Sequence, residues 1–176
     1  MAELQKNLTD WKPWAGLFVL GIIIGLISYR YLGYLLVPYV MSIIEDSAAI
    51  TSGFSSIGWF GFYIFKNGLV GLLCVLTGRI TWGAYPFLVI MVNSVLLGCM
   101  ALLLNDVQGV SVLSFFAGIA PHGIVEIFAI CLSCALGMRP GKMREKLVMF
   151  AKPFGLLLIA AAIETFISPL IIARVL

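Results

Sequence analysis

Charge is scarce in this chain and histidine nearly absent: only 11% of the 176 residues are charged, and His122 is the single imidazole. So few ionised groups cannot cover the surface of a soluble globule, and one histidine rules out the His-Glu-x-x-His arrangement of metallopeptidases. No basic stripe interleaved with aromatics is present, so nucleic-acid binding has no support. There is also no Walker loop, no Gly-x-Ser-x-Gly and no glycine-rich phosphate loop after a strand, so nucleotide hydrolysis would have to come from a partner. The chain reads as a non-enzyme that needs no cofactor. Cysteine supplies no framework either. Cys74, Cys99, Cys131 and Cys134 all lie in apolar runs, where free thiols behave as small hydrophobes. The Cys-x-x-Cys spacing of the last two lacks a second pair and reads as packing.

What the chain does have is apolar length: 62% of its residues are hydrophobic and its mean hydropathy is +1.11. Five runs, at 14–37, 54–76, 85–104, 110–137 and 153–173, are each long enough to cross a bilayer as a helix. The fold class that follows is all-α, a polytopic membrane helix bundle of five transmembrane spans forming a single membrane domain over 1–176. Trp11 and Trp14 belong to the interfacial belt of the first span. Gly21 and Gly25 form a small-xxx-small pair that lets another helix approach closely, and read between copies they predict a homo-oligomer. Between the first two spans, residues 39–50 suggest a short helix at the interface.

Orientation follows from where the basic residues fall. With alternating spans, Lys6, Lys12, Arg79 and the loop 138–152, with Arg139, Lys142, Arg144, Lys146 and Lys152, share one side. The opposite loops carry Glu45, Asp46 and Asp106 and neither Lys nor Arg. The positive-inside rule then makes the N-terminus and the basic loop cytoplasmic and the C-terminus extracytoplasmic, in a multi-pass protein of the cell membrane. The basic loop should draw anionic lipid headgroups of the bilayer.

Six polar residues interrupt the apolar runs near mid-depth: Lys66 and Asn67, Asn93, His122, Glu126 and Glu164. A charge at the bilayer centre costs roughly 2.5–3.5 kcal/mol, so mutual pairing in one intramembrane cluster is the economical arrangement. His122 and Glu126, four apart, share a helix face with Gly118 and Ser133. Pro121, Gly123 and Pro169 form a helix-break motif around them, since each proline removes a backbone donor. Lys66 is the one fixed cation beside two carboxyls, and a proton shared between His122 and a carboxylate would balance the surplus. Three readings fit the cluster: a network that chooses helix neighbours, a proton or ion path, or a metal site ligated by His122, Glu126 and Glu164. The last implies an intramembrane metallohydrolase and has the least support.

Asn67-Gly68, Pro121-His122-Gly123-Ile124-Val125-Glu126 and the run from Leu158 through Ile163-Glu164-Thr165-Phe166 to Pro169 resemble the stage II sporulation protein M family over nearly the whole chain. Many members continue the central motif with Leu-Pro-Ala, where this chain has Ile127-Phe128-Ala129 and so lacks a second proline. The resemblance implies a five-span membrane anchor and assembly platform. In endospore formers it implies the stage II sporulation proteins D and P as partners, which remodel peptidoglycan during engulfment. The residues themselves leave a second function open, a small-ion or proton-coupled solute transporter using the midplane cluster.

Overall fold

The computed structural model describes residues 11–51 and 53–175, all in helices and short connections. Glu3, Lys6 and Asp10, and the side chains of Glu45, Asp46 and Arg174, lie outside the described residues, with the parts of the charge argument that rest on them. The helices are α1 (Lys12–Thr51), α2 (Ser56–Thr77), α3 (Ala84–Gln108), α4 (Val112–Met138), α5 (Met143–Ala162) and α6 (Ser168–Val175), with one π-helical turn, Ile163–Ile167, between the last two. Five segments are long and apolar enough to span a membrane, the fifth running through the π turn as Met143–Ile171.

Two boundaries differ from the sequence expectation. α1 does not end near residue 37: it continues through Pro38 to Thr51 as one helix of 40 residues, about 60 Å long at 1.5 Å per residue. The segment expected as a separate interfacial helix is its continuation, because a proline removes only one backbone bond and water beyond the hydrocarbon can solvate the freed carbonyl. At the other end, most of the expected basic loop is helix. Only Arg139 to Lys142 connects α4 to α5, so Arg144, Lys146 and Lys152 ride on α5. Pro121 likewise lies inside a continuous α4 and does not break it.

α1 packs most extensively on α3, while α2, α4 and α5 form a second group. Glycine sets both contacts. A Cβ on Gly25 would meet the backbone of Val95 and Gly98, and one on Gly98 would meet Ile22 and Leu26 of α1. The paired numbers rise together, so α1 and α3 run parallel, and Cys99 Sγ reaches the Gly25 carbonyl at 3.4 Å. In the second group, Gly71 faces Ser133 and Phe150, and Gly78 and Gly137 bring the ends of α2 and α4 into backbone contact.

The Gly21 and Gly25 face is therefore used within the chain, against α3, as the close helix packing expected of it, and gives no separate argument for an oligomer. A Cβ on Gly21 would meet Ser94 Oγ, which can rotate, and Ser94 Cβ at 2.8 Å, which cannot. Gly21→Leu is expected to lower the thermal stability of the purified protein by about 1–3 kcal/mol through overpacking, with its oligomeric state unchanged. Size-exclusion chromatography and thermal melts check this; lost oligomer at unchanged melting temperature would restore the contact between copies.

Candidate functional site

The basic end of the bundle is closed by a dry core. Phe18, Cys74, Ile90, Ala129, Ile130, Cys131, Cys134 and Leu157 pack together there, all at most 8% exposed. Cys74 of α2 packs in the same cluster as Cys131 and Cys134 of α4, so the Cys-x-x-Cys pair is packing around a third thiol. Ser133, on the same face of α4, donates to the Ala129 carbonyl at 2.9 Å and is fully buried.

Directly on that core, away from the basic end, sits a cavity of about 240 Å³ among α1, α2, α3 and α4. Its walls are apolar, including Phe18, Val70, Leu97 and Ile119, and its polar lining is Lys66, Asn67, Asn93, His122 and Glu126. Five of the six residues expected to cluster therefore line one space. Lys66 lies halfway along α2, and Asn93, His122 and Glu126 lie near the middle of their helices. Depth was readable from spacing because a helix of known start advances by a fixed rise.

Asn67, 4% exposed, lies beside the Glu126 carboxyl, to which its amide N–H can donate. Lys66 is the cation that acts on Glu126 and also on Glu164. Asn93 spends its amide N–H on the Val89 carbonyl of its own helix, at 2.7 Å, and lines the cavity. Contrary to a fully buried network, Lys66 and Asn93 are both exposed. The cavity thus opens sideways between α2 and α3, which touch each other little.

Glu164 lies outside the cavity lining, in the π-helical turn, which touches both α2 and α4, and its charge acts on Glu126 and Tyr63. Pro169 explains that turn. It has no N–H, and its ring would press on the carbonyl four residues back, so the chain widens just before it and Ser168 N–H bonds back to the Ile163 carbonyl. In this turn Thr165 Oγ1 is buried with no hydrogen-bond partner among the described residues. The widening carries Ser168, 2% exposed, onto His122: Ser168 Oγ and His122 Nδ1 share a hydrogen bond of 2.7 Å.

The expected partner of His122, a carboxylate sharing a proton, is thus replaced by Ser168. Nor do the three candidate metal ligands converge: among the described residues no three His, Cys, Asp or Glu side chains gather to hold an ion. Tyr63 and Ser168 were missed by sequence reasoning. Tyr63 is four residues before Asn67, a helical spacing that would have found it. Ser168 was hidden because a π turn shifts the face of every later residue, and α-helical periodicity does not contain that shift.

No characterised protein sequence and no solved structure matches the chain. The family described as Stage II sporulation protein M does match, over residues 14–169, a span that includes α2, α3, α4, α5 and the π turn. The residues that build the cavity and the His122 to Ser168 bond all fall within it, and the chain belongs to the stage II sporulation protein M family.

Proposed function

We propose that the protein is a membrane-embedded assembly platform, and that the lateral cleft between α2 and α3 is where a transmembrane segment of a partner docks. The observation that carries this is the exposure of Lys66 and Asn93 halfway along their helices. A lysine facing hydrocarbon at that depth costs roughly 2.5–3.5 kcal/mol, and a partner helix presenting a carboxylate or carbonyl there removes that cost. The apolar walls of the cavity suit such a helix, and Glu126 and Asn67, side by side with Lys66, form its polar floor. Where the source forms endospores, the stage II sporulation proteins D and P are the partners to test. The charge distribution supports a cytoplasmic N-terminus and basic end, with the C-terminus outside.

The second reading is transport of a small ion or solute, favoured by a cavity that holds both a cation and a carboxyl. The packed core on its basic-end side separates it from that surface, which supports docking over a continuous pathway. A photo-crosslinking residue at position 93, expressed with the candidate partner, should give a covalent adduct in membranes. Lys66→Met should reduce that adduct at least fivefold while the protein still folds. Proteoliposomes should show no proton or cation flux above empty vesicles; a flux abolished by Glu126→Gln, without an adduct, would establish transport instead.

A further inference from the structure

We infer that the basic end of the bundle carries a binding site for one anionic phospholipid, separate from the central cleft. Three cationic side chains meet there: Arg79 in the turn after α2, Arg139 in the turn after α4, and Lys146 on α5, with both arginines acting electrostatically on the lysine. Their roles differ. The Lys146 amine is committed to the Gly137 carbonyl at 2.7 Å, whereas among the described residues Arg139 makes a long Nη1 contact to Met149 Sδ at 3.8 Å. Among the described residues, most of the arginine donors at this end are therefore uncommitted to protein acceptors.

Two recesses open at this end and share Trp82 and Met138 as a common wall; Arg79 lines one of them, and Arg139 stands in the chain between two of its lining residues, Met138 and Pro140. One, about 530 Å³, is lined by Arg79, Trp82, Met138 and Pro140. The other, about 500 Å³, runs between the first turns of α1 and α3 and is lined by Trp14, Leu17, Ala84 and Phe87 among others. A cationic recess leading into an apolar one matches the order of a phospholipid, with phosphate outside and acyl chain inside. Trp82 stands between them with 92% of its surface exposed and its backbone in the left-handed region, φ 55°. An L-residue is rarely held there, and a tryptophan so exposed suits the headgroup level of a membrane, where its ring is half wetted. Glu145, the carboxylate in the first turn of α5, lies against Gly141 in the connecting turn.

The phosphate would be held by Arg79 and Arg139 in a forked geometry that suits phosphate oxygens, and one acyl chain would lie along Trp14, Leu17 and Phe87. Arg144, exposed on the first turn of α5, is not one of the arginines that act on Lys146, and it takes no part.

Native mass spectrometry of the detergent-solubilised protein tests this with three probes: phosphatidylglycerol, phosphatidylcholine and chainless glycerol phosphate. Phosphatidylglycerol should bind at least about tenfold more tightly than phosphatidylcholine, the discrimination two basic contacts supply near a membrane surface, and glycerol phosphate should not bind detectably. Arg79→Gln with Arg139→Gln should abolish the preference, and Arg144→Gln should keep it. Phe87→Asn should weaken both lipids about equally, and Arg79→Gln alone serves if the double variant unfolds. Equal binding of the two lipids, or a preference that survives the arginine changes, would overturn the inference. Glycerol phosphate bound as tightly as phosphatidylglycerol would replace it with a soluble phosphate site. None of these outcomes bears on the central cleft, whose test reads crosslinks at position 93.

Discussion

Gly137→Ala is expected to destabilise the protein by about 3 kcal/mol, the upper end of the cost of overpacking a filled core. A Cβ at this position would run into the Cys74 carbonyl, with Cys74 C at 3.0 Å and Val75 Cα at 3.3 Å, all of them backbone atoms of α2. Backbone cannot rotate aside as a side chain can, so α2 and α4 must separate along their shared end. Separation would also disturb Gly78, which faces the Gly137 backbone from the other side. The informative control is Gly155→Ala on α5, where a Cβ meets nothing within 4 Å. That change should be neutral or stabilise by up to about 1 kcal/mol, the ordinary gain of alanine over glycine in a helix. Thermal or denaturant unfolding in one detergent compares the two. Equal melting temperatures would mean that the α2 and α4 ends are not in backbone contact.

The second large effect is at Lys146, which is 5% exposed and donates through Nζ to the Gly137 carbonyl at 2.7 Å. Helix ends leave carbonyls without partners, and here a lysine from the next helix supplies one as a charge-assisted donor at the negative end of α4. Lys146→Met keeps the stem and its packing but removes the donor, leaving a buried acceptor unsatisfied at about 1–3 kcal/mol. Relief of the repulsion from Arg79 and Arg139 offsets part of this, so a net loss of about 2 kcal/mol is expected. Arg144→Met, two residues earlier and exposed, should stay within about 0.5 kcal/mol of the parent. If the two variants melt together, Lys146 is a surface cation and not a cap.

These two lysine and arginine positions looked equivalent as members of one basic loop, and the difference illustrates what a linear reading reaches. The run of residues around 138–152 does carry the charge that marks one end of the molecule, because sign and position are properties of the chain alone. Whether a given amine meets water or a carbonyl depends on the path of a neighbouring helix. The same division holds in the cleft. Lys66, Asn67, Asn93, His122 and Glu126 were readable as one layer from their distances to the span ends, and they line one cavity. That Lys66 and Asn93 stand at its open side, and that His122 turns to Ser168, was not readable.

By itself the sequence determined the class of the protein, five apolar helices with a basic end and a polar layer at mid-depth, because hydropathy, charge and helical rise are local quantities. Family membership also rests on local order, in the motifs around His122 and Glu164. Only the tertiary structure decided which helices are neighbours: Gly21 and Gly25 against α3 of the same chain, Gly137 against Cys74, Lys146 on the end of α4, and Glu164 displaced from the cavity by the π turn before Pro169. In lipid every apolar face is nearly equivalent to every other, so partner choice falls to small residues and single hydrogen bonds between positions far apart in the chain, which no window along the sequence contains.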